Sequence, residues 1–162
     1  MLELTAEDKY YYWLMISIGL DKELVDYIRA CAESDEEISD LIFELYDEIR
    51  DKNALKRTLY LSHSKSTAVN KELVKDRIVN YFYIQLLDQT FTATQIGEYL
   101  GSISALETTW SDFEWICENY SLAKDGFFSY EDADKRLCNY LKENNSIDKK
   151  QYADRSINEP YE

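Results

Sequence analysis

The chain has one histidine, His63, with an arginine, Arg57, six residues before it. A histidine carries a proton near neutrality and an arginine holds a fixed positive charge, the two groups that acid–base work on a phosphate ester requires. A single histidine cannot build the multi-histidine zinc sites or hydrolytic relays. The other reading of His63 is a helix-end imidazolium favoured by the macrodipole. Cys31, Cys117 and Cys138 are widely spaced, without a CxxC pair, and are expected to be reduced thiols, mostly buried. No P-loop, GxGxxG, GxSxG or HExxH pattern is present. No catalytic residue, metal or cofactor is therefore expected.

Carboxylates are the abundant chemistry: 32 acids stand against 18 bases, a net charge of −14. They are densest in Glu33–Asp51, ESDEEISDLIFELYDEIRD, where the spacing predicts one helix. At about 100° per residue, Ile38, Leu41, Ile42, Leu45 and Ile49 share a narrow apolar stripe. Glu36, Asp40, Glu44, Asp47 and Asp51 fall opposite, flanked by Glu37 and Glu48, with Arg50 the only base. Each pair of like charges at i,i+4 disfavours a helix by roughly 0.2–0.5 kcal/mol. Such a wall has no folding rationale of its own, which makes it a candidate for binding a cation-rich partner rather than a merely solvated face.

Positioning these residues requires a scaffold of helices. Four glycines and one proline in 162 residues are too few for a sheet protein's tight turns, so the fold expected is all-α, a single-domain bundle of about seven to eight helices. Thr5 caps a first helix to about Ile18, with Gly19 as its stop, and the apolar run from Tyr10 to Ile16 makes it central to the packing. Asp21 caps a short helix using Leu24, Val25, Ile28 and Ala32; Ser34 and Glu37 form a capping box for the acidic helix. Asn53 opens a fourth, burying Leu55, Leu59 and Tyr60. After a polar loop over 62–70, Asn70 caps a long helix to about Leu87, with Leu73, Val74, Ile78, Tyr81, Phe82 and Gln85 on one face. Shorter helices follow at 94–104, 111–120 and 129–143, opened by a Ser111–Glu114 box and by Ser129 with Asp132. Residues 1–143 are read as the domain, and the polar stretch 144–162 as a loosely ordered tail.

Charge is segregated along the chain. Residues 21–51 sum to −9, residues 52–81 to +5 and residues 82–134 to −9. The second acidic block adds Asp112, Glu114, Trp115 and Glu118 to the candidate partner-binding residues, beside Glu36, Asp40, Phe43, Glu44, Asp47, Glu48 and Asp51. Aromatics are in excess, with 14 Tyr, six Phe and three Trp. Most must be core, but Phe43, Tyr46, Trp110, Trp115 and Tyr120 sit among acids, where aromatic residues can anchor an interface. An acidic surface repels nucleic acid and anionic lipid and attracts basic proteins. No apolar run approaches the roughly 18 residues of a membrane span. The first residues, MLELTAEDKYYYWLM, carry acids where a secretory leader needs bases, so a cytoplasmic location is expected.

Two local motifs resemble known families. Arg57-Thr-Leu-Tyr-Leu-Ser-His63 is similar to the Rx4–6H motif of the all-helical HEPN ribonucleases, which would make His63 an acid–base group and Arg57 a phosphate clamp. That motif is commonly followed by a polar residue after the arginine and lies in a late helix, whereas Thr58 follows Arg57 here, at mid-chain. Asp125-Gly126-Phe127-Phe128-Ser129 resembles the middle of an EF-hand loop, although Ser121, Ala123 and Asp132 occupy places where calcium needs acids and a bidentate Glu. In general character, small, acidic and helical, the chain resembles the bacterial immunity proteins of contact-dependent inhibition and related polymorphic toxin systems. That likeness implies a non-enzymatic inhibitor that binds a basic toxin domain, such as a nuclease, through acids with aromatic anchors. An acidic nucleic-acid mimic or regulatory adaptor would use the same face on another basic protein.

Overall fold

The computed structural model describes residues 1–65 and 68–148. Among them the chain is all-α: Ala6–Ser17 (α1), Lys22–Glu33 (α2), Asp40–Asp47 (α3), Lys52–Ser64 (α4), Lys71–Leu87 (α5), Ala93–Leu106 (α6), Ser111–Lys124 (α7) and Tyr130–Asn144 (α8). The chain divides into two compact units, Met1–Val74 and Lys75–Glu162, with the boundary inside α5.

In the first unit, Thr5 and Asp8 exchange the two hydrogen bonds of a capping box at the start of α1. Gly19 stops the helix at φ +88°, a left-handed conformation that a residue with a Cβ adopts only under strain. Half of α1 is buried, from Tyr10 to Ile16 with only Trp13 partly open, as a helix apolar nearly all round must be. α1 packs on α4 and α2 on α3. The Tyr11 hydroxyl donates to Glu23 at 2.6 Å, tying α1 to α2.

The helix expected over Glu33–Asp51 is broken in two places. α2 runs through Glu33, and Ser34 is its C-cap, donating its hydroxyl to the Cys31 carbonyl at 2.8 Å instead of forming a box with Glu37. The backbone around Ile38 instead forms a parallel bridge with Leu2: the Leu2 N–H donates to Glu37 O at 2.7 Å and the Ser39 N–H to Leu2 O at 2.9 Å. Ser39 then caps α3, which closes after Asp47 with Glu48 as its C-cap. The physical reason is that 37–39 gives its backbone groups to Leu2 rather than to a helix. The periodic stripe from Ile38 to Ile49 thus threads across elements that are not collinear; only Ile42 and Leu45 in it are fully buried.

α4 starts one residue before the expected Asn53, because Asp51 accepts from the N–H groups of Asn53 and Ala54. Leu55 and Leu59 are buried as expected, while Tyr60 is half open and Thr58 is buried in its stead. On α5 the buried row is Val74, Ile78, Val79, Phe82 and Tyr83; Leu73 points outward.

In the second unit α6, α7 and α8 pack on one another. Gly97 and Gly101, one turn apart on α6, give α7 its seat. A Cβ on Gly97 would lie 2.2 Å from the Tyr120 ring and one on Gly101 3.0 Å from Cys117 Sγ. The Tyr120 hydroxyl reaches Asp134 at 2.6 Å and Ala93 O at 3.2 Å, joining all three helices, and this burial with the Asp134 carboxylate pushes the phenol pKa up. Thr92 and Gln95 form a capping box on α6. No such box opens α7: Trp110 holds the cap position without a side-chain bond and Ser111 is already helical. Ser129 caps α8 as expected.

The stretch read as a tail begins at residue 144, but its first residues are held. Asn145 is 1% exposed, Ser146 and Asn80 exchange two hydrogen bonds, and Asp148 accepts from Tyr83 at 2.9 Å. Residues 149–162 lie outside the described part of the chain.

Candidate functional site

α3 is short, and its two sides differ completely. Ile42 and Leu45 are buried at 0% exposure, while Asp40, Phe43, Glu44, Tyr46 and Asp47 face solvent. At about 100° per residue, Tyr46, Phe43, Asp47, Asp40 and Glu44 follow one another around the exposed side. Phe43 is 60% exposed and Tyr46 44%. None of the three carboxylates makes an ion pair among the described residues. Three negative charges flanking two open aromatic rings on eight residues give a surface that attracts cations at range and offers apolar area on contact.

The remaining acids of this region are placed otherwise. Glu36 is exposed on the 35–39 link, off the helix that carries Asp40. Glu48 is half-buried at the C-cap of α3, with one carboxylate oxygen buried and unpartnered. Asp51 serves the first turn of α4, where its charge also suits the helix N-terminus. Sequence periodicity placed these three on one wall with α3; the structure separates them from it.

The second candidate surface lies on α7. Glu114, Trp115 and Glu118 are exposed, but Asp112 is engaged internally. Lys75 is 3.0 Å from its carboxylate and the Tyr140 hydroxyl donates to the same oxygen. Burial alone would raise the Asp112 carboxyl, but these two partners outweigh it and hold it below the ordinary carboxylate range. Trp115 is also answered from within: the Arg136 guanidinium lies 5.9 Å from its ring and 4.3 Å from that of Phe128, and donates to Asn119 at 3.0 Å. Trp110 and Tyr120, the other aromatics read as possible contacts, are buried.

His63 lies in the last turn of α4, as expected, but in an aromatic enclosure. Its ring sits among Tyr10, Trp13 and Tyr60 at centroid distances of 5.3, 4.8 and 5.3 Å, and its Nε2 is buried without a hydrogen-bond partner. Desolvation lowers its pKa from the usual value, favouring the neutral ring. Arg57 is exposed on the same helix. At the EF-hand-like stretch, Asp125 is the C-cap of α7, Gly126 turns the chain at φ +79° and Ser129 starts α8. Among the described residues no three His, Cys, Asp or Glu side chains converge on a point where an ion would sit. No described helix is long and apolar enough to cross a membrane.

Compared with protein-family models, curated proteins and solved structures, the chain matches none. Its functional reading therefore rests on its own surface chemistry.

Proposed function

We propose that this chain is a cytoplasmic immunity protein, of the kind paired with contact-dependent inhibition toxins in bacteria, which binds and neutralises a cognate basic toxin domain such as a nuclease. The observation that carries this reading is the exposed side of α3, where Asp40, Glu44 and Asp47 lack ion-pair partners among the described residues and flank open Phe43 and Tyr46. A nuclease must present cations to bind phosphate, and carboxylates on a helix complement such a surface and speed encounter. Phe43 and Tyr46 supply desolvated contacts of the type that dominates binding energy.

The test is co-expression with the basic C-terminal domain of a secreted protein encoded beside this chain. The wild type is expected to restore growth and form a complex with that domain. Asp40→Lys, Glu44→Lys and Asp47→Lys together are expected to abolish protection while the helical circular dichroism signal persists. A folded triple variant that protects as well as the wild type would refute the assignment of α3, and toxicity undiminished by the wild type would refute the immunity reading.

A further inference from the structure

A cleft of about 420 Å³ opens in the first unit, lined by Lys9 of α1, Leu41 and Glu44 of α3, and Thr58, Leu61, Ser62 and Lys65 of α4 and its C-cap. Clefts of roughly 300–1,000 Å³ are the size that holds small ligands. Its lining brings two lysines from separate elements to one cleft. Acids outnumber bases by 14; Lys22, Lys52, Lys75 and Lys135 are paired with Asp26, Asp21, Asp112 and Glu131, while Lys56, Lys124 and Lys142 stand without an ion pair among the described residues. Lys9 and Lys65 form no ion pair among the described residues, not even with Glu44 on the wall of the same cleft.

With Lys9 and Lys65 both in the lining, an anion bound in the cleft would meet two positive side chains. Their donors, with the hydroxyl of Thr58, suit the several oxygens of a carboxylate or phosphate group. Leu41 and Leu61 give a short apolar wall, and Glu44 can accept only from a donor. We infer that the cleft is a binding site for a small molecule with a carboxylate or phosphate head held by Lys9 and Lys65 and a hydroxyl or ammonium group facing Glu44. The site stands independently of the partner-binding reading, although Glu44 belongs to both surfaces.

The full chain, labelled with nitrogen-15, is titrated at pH 7 with inorganic phosphate and separately with succinate, sodium chloride keeping ionic strength constant. Saturable amide shifts centred on Lys9, Glu44, Thr58, Ser62 and Lys65 are expected with at least one probe. The stronger probe identifies the head group. Binding is expected to weaken by about tenfold or more in the Lys9→Gln, Lys65→Gln double variant, and to be unchanged in a Lys22→Gln, Lys135→Gln control. Should the double variant fail to fold, Glu44→Gln provides the second arm: it removes a repelling carboxylate and is expected to tighten both probes a few-fold. No saturable shift beyond chloride from either probe, shifts that survive a folded Lys9→Gln, Lys65→Gln variant, or weaker binding in Glu44→Gln would each overturn the site. None of these outcomes depends on whether a toxin partner is bound, so the two readings fail separately.

Discussion

α3 and α7 carry the same ingredients, carboxylates beside exposed aromatic rings, and differ in whether those groups are already engaged. On α7, Lys75 and Tyr140 hold Asp112 and Arg136 lies against Trp115. On α3, among the described residues, Asp40, Glu44 and Asp47 have no ion pair and neither Phe43 nor Tyr46 stacks on another ring. Local charge sums of −9 in both blocks hide this difference. What marks a surface for a partner is interaction capacity that the fold has left unused, and by that measure α3 is the stronger candidate.

The largest expected effect that separates the two is on association. Reversing Asp40, Glu44 and Asp47 to Lys should slow binding of a basic partner by about ten- to a hundredfold at low salt, with the difference shrinking as salt rises. Reversing Glu114 and Glu118 should change the rate much less. Stopped-flow or surface-plasmon measurements at two ionic strengths decide this, and equal effects from both helices would dissolve the distinction.

Stability should show the opposite order. Asp112→Ala removes a half-buried acceptor from Lys75 and Tyr140 and is expected to destabilise the chain by about 1–3 kcal/mol. Asp47→Ala, on an exposed and unpaired residue, should stay within about 0.5 kcal/mol. Urea unfolding monitored by circular dichroism compares them. Because the Asp112 carboxyl is held below its unfolded value, its stabilisation is present above pH about 4 and is lost as pH falls through the folded value. Asp112→Asn should therefore flatten the acid limb of the stability profile.

A smaller effect is expected at Phe43. Its truncation to Ala should speed partner dissociation by about tenfold with little change in stability, since the ring is mostly in solvent. Trp115→Ala should instead disturb Arg136 and lower stability without a matching change in dissociation. The smallest effect is at His63. Its folded pKa lies below the unfolded value, so the unfolded chain binds the proton more readily and stability declines as pH falls below about 6.5. An NMR titration of the imidazole should give a midpoint below that of a free histidine; a midpoint above it would contradict the aromatic enclosure.

Helix content was legible from residue chemistry: Thr5, Asn70 and Ser129 start helices where their side chains suggest, Gly19 stops one, and scarce glycine and proline exclude a turn-rich sheet. The region 33–51 was misread because hydrophobic spacing is blind to a backbone partner distant in sequence. Leu2 takes the N–H and C=O groups that a continuous helix would have used at 37–39. Asp51 illustrates a second limit, since a carboxylate at a helix start and one on an acidic face look alike until the helix boundary is known. Asp40, Phe43, Glu44 and Asp47 share a face because they lie within two turns, where local periodicity suffices. The cleft had no sequence signal at all: Lys9, Glu44 and Lys65 come from separate elements, and nothing in their spacing announces a meeting.

The bridge between Leu2 and Ile38 closes a loop that contains all of α1 and α2. Loop closure is entropically unfavourable until the enclosed elements have packed, so this clasp should form late and open early. Its two amide protons, on Leu2 and Ser39, should then exchange with deuterium together and sooner than those inside α1. Each opening would release the backbone before Asp40 while Ile42 and Leu45 stay buried, so the acidic face would pivot on its apolar anchor rather than unfold.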